Sequence, residues 1–108
     1  LPSPAVTLQR RKSPIFSRLE QAVPGIRADF GVKRIGIFGS FARGEQKRTS
    51  DVDVLVEFAH GMATFDNFMH LAFHLEDQFS RKVDLLTVKS IDRYIRSRVE
   101  SEVIWIEG

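Results

Sequence analysis

The sequence predicts a small single domain of the α/β (α+β) class, with a small mixed β-sheet flanked by helices, and three observations carry that expectation. Asp51 to Phe58 reads DVDVLVEF and alternates strictly through its first four residues, as a half-buried strand does. Thr64 to Ser80 repeats apolar residues at three- and four-residue steps, the period of a helix with one buried face. The 108 residues combine 43 % hydrophobic with 28 % charged side chains, a balance that suits one compact core.

Taken in order, residues 1–12 read as a flexible arm and 13–108 as the folded domain. Ser13-Pro14 opens a helix, with Ser as N-cap and Pro in the first turn, where its missing N–H costs nothing. Ile15, Leu19 and Ala22 share one face. Pro24-Gly25 is expected to break this helix into two short pieces, the second closed by Gly31 as a left-handed C-cap.

Lys33 to Phe38 (KRIGIF) is the first strand, ending at Gly39-Ser40. Residues 41–50 suit a helical turn and then an exposed loop, and Asp51 to Phe58 forms the second strand. In the helix from Thr64 to Ser80 the stripe Phe65, Phe68, Met69, Ala72, Leu75 and Phe79 is assigned to the core. Val83 to Val88 gives a third strand. Ser90-Ile91-Asp92 opens a last helix on Ile91, Ile95 and Val99, and VIWI (Val103 to Ile106) closes the chain as an edge strand or a packed extended segment.

Composition narrows the function. Cysteine is absent, so disulfides and thiolate metal sites are excluded, and a cytoplasmic setting is the plain expectation. No apolar run approaches the ~20 residues that span a bilayer, so no membrane partner is expected. The formal charge is only +2, with Arg10, Arg11 and Lys12 carrying part of it. A short basic run of this kind is usually solvated, and nucleic acid is not expected as a partner.

The chemistry gathers around three carboxylates. Asp51 and Asp53 stand two apart on a strand, so both project from one face. Side by side they repel unless a hard cation such as Mg²⁺ lies between them, although an Asp-x-Asp can equally cap a turn. Gly39-Ser40 ends the preceding strand, where Gly permits close backbone approach and the Ser hydroxyl and nearby N–H groups can meet phosphate oxygens. An ordinary strand-to-helix turn capped by Ser would read the same way. Asp84 lies inside the apolar strand Val83 to Val88, where a charge is costly without a partner. Together these features favour metal-dependent phosphoryl transfer.

These residues also carry a resemblance. GSFARGEQKRTSDVDVLVEF resembles the signature of the DNA polymerase β-like nucleotidyltransferase superfamily: Gly39-Ser40, ten residues, then Asp51-Val52-Asp53. Ala42-Arg43-Gly44 and the segment Arg81 to Thr87 further resemble the minimal, MNT-type nucleotidyltransferases of prokaryotic toxin-antitoxin modules. The resemblance implies a nucleotidyltransferase-like fold in which Asp51, Asp53 and Asp84 are catalytic and hold metal, Mg²⁺ or alternatively Mn²⁺. It implies that Gly39, Ser40 and Arg43 bind the nucleotide, ATP or another NTP. Attack at the α-phosphorus would then place NMP, with AMP the leading candidate, on an acceptor hydroxyl.

Larger members of the superfamily carry extra domains for acceptor recognition, for which 108 residues leave no room. The acceptor is therefore expected on a second protein, and the resemblance points to a Tyr or similar hydroxyl of a HEPN-type toxin. A non-catalytic antitoxin or assembly subunit acting by contact is the competing expectation, and a homo-oligomer is left open. His70 and His74, four apart, are read as a helix flank rather than a zinc site, and Trp105 as packed against the sheet.

Overall fold

The computed structural model describes residues 13–107. The order is α1 (Pro14–Phe30), β1 (Val32–Phe38), α2 (Gly39–Arg43), β2 (Val52–Phe58), α3 (Phe65–Phe79), β3 (Val83–Thr87), a 3₁₀ turn (Val88–Ser90), α4 (Arg93–Glu102) and β4 (Ile104–Ile106). The expected arm at 1–12 lies outside the described residues. The class is as expected, a mixed α+β domain on a four-stranded sheet of order β3-β2-β1-β4. Strands β1–β2 and β1–β4 run antiparallel, while β2–β3 run parallel because α3 crosses between them.

Helix α1 is continuous where two pieces were expected. Ile15, Phe16, Leu19, Val23 and Ile26 keep one apolar face buried through the proposed break. Pro24 sits on the opposite, exposed side, so its ring meets solvent and burial of the other face holds the helix together. Gly31 closes α1 as anticipated, with φ 67° and its N–H donated to the Arg27 carbonyl at 3.1 Å. Ser13 occupies the N-cap position, but its side chain makes no capping bond.

The sheet has two unlike faces. Ile35, Ile37, Val52, Val54, Val56 and Leu85 join α1 and α3 in the main core. Phe38, Leu55, Ile91 and Val99 form a smaller cluster on the other face, flanked by Leu86, Val103 and Trp105. Among the described residues that second face is covered by the short α4 and the segment leading into it. Trp105 lies there as expected, with the Arg34 guanidinium stacked 4.0 Å from its ring. Gly36 makes the packing possible, since a Cβ at this position would meet the Ile104 carbonyl and the Val103 side chain at 2.8 Å.

Two further expectations are corrected. In α3 the fully buried residues are Leu71 and Leu75, with Phe79 nearly so, while Phe65 is 74 % exposed. Phe65 is the first residue of the helix and stands outside the core, Leu71 takes a place in it, and Phe68, Ala72, Leu75 and Phe79 of the assumed stripe pack as expected. The last helix begins at Arg93 rather than Ser90, because the Asp92 side chain caps it through the Tyr94 N–H at 2.8 Å. Ile91 is buried ahead of the helix and Ile95 is 44 % exposed.

Candidate active site

Alternation along β2 sends Val52, Val54 and Val56 into the main core and turns Asp53 and Leu55 to the sparsely covered face. The same rule in β3 puts Leu85 in the core and Asp84 on the face shared with Leu86. Asp53 and Asp84 are direct register partners across the parallel pair, and Phe38 is the partner of Asp53 on its other side. The two carboxylates therefore stand on adjacent strands of one face. Asp84 is exposed on an edge strand, so it does not carry the burial cost that its apolar neighbours suggested.

Asp51 lies just before β2 and is exposed, one position outside the strand assigned to it. It still acts on the site. The Asp53 carboxyl is pushed above its usual range, first by partial burial and then by the charges of Asp84 and Asp51, with Arg43 opposing and Glu102 adding to the effect.

Gly39 adjoins this cluster. Its φ of 71° turns the chain out of β1, and a Cβ there would collide with the Asp53 carboxylate. Only glycine satisfies both the turn and the space. Helix α2 starts at Gly39 with Phe38 as its N-cap, so half-buried Ser40 lies within the first turn and is not the cap. The Ser40 carbonyl accepts the Glu45 N–H at 2.9 Å, and Gly44, with φ 70°, ends the helix.

Arg43 is held on the same side. Its guanidinium donates to Glu102 Oε2 at 2.9 Å and to Glu45 Oε2 at 3.1 Å, and these bonds, Glu102 first, raise its pKa further. The other Glu102 oxygen accepts the Gly39 N–H at 3.2 Å. Phe38, Gly39, Arg43, Asp53, Ile95 and Glu102 line one open cleft between α2, β2 and the end of α4.

Sequence reasoning missed two members of this neighbourhood. Glu102 is 59 positions from Arg43, and no local pattern joins them. Arg81 donates to the carbonyls of Arg48 and Ser50 at 2.9 and 2.8 Å and faces the Phe41 ring at 5.3 Å, tying down the loop before β2. Its only signal was its place in the segment Arg81 to Thr87. His70 is exposed, and the His74 ring packs 5.6 Å from that of Phe30. Among the described residues, no three His, Cys, Asp or Glu side chains already form a cage for a metal ion.

The family model for the nucleotidyltransferase domain matches residues 19–106. The chain belongs to the nucleotidyltransferase family. This nucleotidyltransferase is 40 % identical over 89 residues to a candidate protein adenylyltransferase of Methanocaldococcus jannaschii, spanning 82 % of this chain and 95 % of the relative. Among solved structures it is similar to a candidate minimal nucleotidyltransferase, with TM-score 0.71 and 33 % identity over 82 % of this chain and 89 % of the other. It is also similar to a toxin-antitoxin structure with AMP-PNP, with TM-score 0.67 and 25 % identity over 82 % of this chain and 73 % of that one. Among the described residues no helix is long and apolar enough to cross a membrane.

Proposed function

We propose that this nucleotidyltransferase transfers AMP from ATP to a hydroxyl on a partner protein, a Tyr of a HEPN-type toxin, and so acts as the antitoxin of that toxin. The observation that carries the reading is the register pairing of Asp53 with Asp84 on one sheet face, beside a glycine whose missing Cβ leaves room for the Asp53 carboxylate. The name of the archaeal relative supports AMP as the transferred group, and the AMP-PNP-bound toxin-antitoxin neighbour supports both the nucleotide and the kind of partner. The choice of a HEPN-type toxin follows the MNT-type motif resemblance.

Asp51, Asp53 and Asp84 fit a Mg²⁺ site, with Mn²⁺ as an alternative occupant. Crowded carboxylates disfavour their own ionised state, and Mg²⁺ commonly takes one or two carboxylates while substrate phosphates complete its shell. A finished protein cage is therefore not required. When bound, the ion supplies positive charge against the carboxylates and phosphate oxygens.

The chain's own groups then divide the work. The Gly39 N–H and Ser40 hold phosphate oxygens, and Arg43 balances their charge. Asp84, exposed at the edge of the face, receives the proton of the incoming hydroxyl. The hydroxyl oxygen bonds to the α-phosphorus as the bond from that phosphorus to the bridging oxygen breaks, and pyrophosphate leaves with the electron pair.

The test is label transfer from ATP in host extract and to a purified HEPN-type partner, with Mg²⁺ present. Label from the α but not the γ position should appear on a discrete protein, and Asp53→Asn should reduce it by more than the roughly 10- to 100-fold that loss of a group merely supporting a metal ligand costs. Undiminished transfer in Asp53→Asn would refute the carboxylate assignment. Neutralisation of the partner without any transfer would leave an antitoxin that works by contact.

A further inference from the structure

Both oxygens of Glu102 are engaged by groups assigned above to the triphosphate. Oε1 accepts the Gly39 N–H at 3.2 Å, and Oε2 accepts from Arg43 at 2.9 Å. A carboxylate and a phosphate present the same chemistry to such donors: a flat or tetrahedral array of anionic oxygens at hydrogen-bond distance. Glu102 is mostly buried, with 17 % of its side chain exposed, and it sits at the last turn of α4, lining the same cleft as Asp53. Its charge is also among those crowding Asp53.

We infer that Glu102 is an internal stand-in for the nucleotide's phosphate, occupying the Gly39 and Arg43 donors until the triphosphate displaces it. The inference rests on the nucleotide reading given above and adds a residue that sets affinity for the phosphates. The donors cannot serve both anions fully. The Gly39 N–H has one proton to give, and an anionic phosphate at Arg43 would face the Glu102 charge at close range. Displacement sends the Glu102 side chain towards solvent and takes one negative charge away from the site as the negatively charged nucleotide arrives.

A competitor of this kind leaves a measurable trace. Breaking a partly exposed charge-assisted pair changes binding modestly, so Glu102→Gln should bind ATP roughly three- to tenfold more tightly than the native chain. The effect should be equal for inorganic tripolyphosphate, because the competition concerns phosphate and not the base. Glu102→Ala should shift in the same direction, since alanine offers no donor that could bind phosphate on its own account.

The experiment is calorimetric titration of the native chain, Glu102→Gln and Glu102→Ala with ATP and with tripolyphosphate, each with Mg²⁺, after thermal melting shows that the variants fold. Tighter binding of both ligands by both variants supports the inference. Unchanged or weaker binding by either folded variant overturns it and makes Glu102 a prop that aims Arg43 at its ligand. Tightening for ATP alone also overturns it, because the competition would then involve the nucleoside. If the native chain and both variants bind neither ligand, the nucleotide reading falls and this inference falls with it.

Discussion

Partial burial, followed by the fields of Asp84 and Asp51, disfavours ionised Asp53, while Arg43 opposes them, so the folded chain holds a proton there more tightly than the unfolded chain does. The sign follows from linkage. The stabilisation associated with a raised carboxyl pKa is fully present below the unfolded value and is lost as pH rises through the folded one. Above the folded value the metal-free protein therefore carries a destabilising charge. Asp53→Asn should raise its melting temperature by a few degrees at pH 7, with the gain shrinking as the pH falls towards the unfolded carboxyl value. Melting curves of both proteins from pH 4 to 8 check this, and a gain that stays constant with pH would contradict it. Asp51, Asp53 and Gly39 were legible in the sequence because their spacing is local. Glu102 was not, since its partners Gly39 and Arg43 lie 63 and 59 positions away and no local pattern joins them.

Helix α3 shows where periodicity reads well and where it fails. Its existence and its Thr64 start were legible, and the Thr64 hydroxyl accepts the Asn67 N–H at 3.1 Å as an N-cap should. The buried face was harder to place, because Phe65, Phe73 and Leu71 are all large and apolar and several stripes fit the same residues. Contact with α1 and the sheet decides it: Leu71 is 0 % exposed and Phe73 58 %. Leu71→Ala should accordingly cost about 2–5 kcal/mol, whereas Phe73→Ser should cost less than about 1 kcal/mol. Urea denaturation of the two variants measures the contrast, and similar losses in both would place the core on the wrong face. Pro24 teaches the complementary lesson in α1, where a strong local breaker yields to the burial of Val23 and Ile26 on the opposite side.

At the scale of the whole molecule, α1 and α3 close one face of the sheet and leave the other largely to α4, and the charged cluster lies where that second cover runs out. The loop leading into β2 is fixed by Arg81, on the adjacent approach to β3, whose bonds to the Arg48 and Ser50 carbonyls join the start of β3 to the approach of Asp51. Arg81→Ala should lower stability by about 1–3 kcal/mol, the scale of charge-assisted bonds to carbonyls, and should speed amide exchange from Gln46 to Asp51. Exchange in that loop unchanged from the native chain would show that the loop holds itself. The α+β class and the order of elements were readable from pattern alone. The strand order was not, because β4 reaches β1 only through a long-range return that carries no local mark.

The parallel pairing of β2 with β3 also limits how this chain can change length. Because side chains alternate, sliding β3 by one residue would carry Asp84 through the sheet to the α1 and α3 side and bring Val83 or Leu85 out in its place. One inserted or deleted residue between Ser80 and Val83 that shifted β3 in this way would be equivalent to losing a carboxylate, even though no acidic residue had been replaced. The exposed turn from Gln46 to Thr49 has no such arithmetic, provided that Arg81 can still find its carbonyls. Chain length is therefore more tightly constrained just before β3 than in the exposed turn before β2.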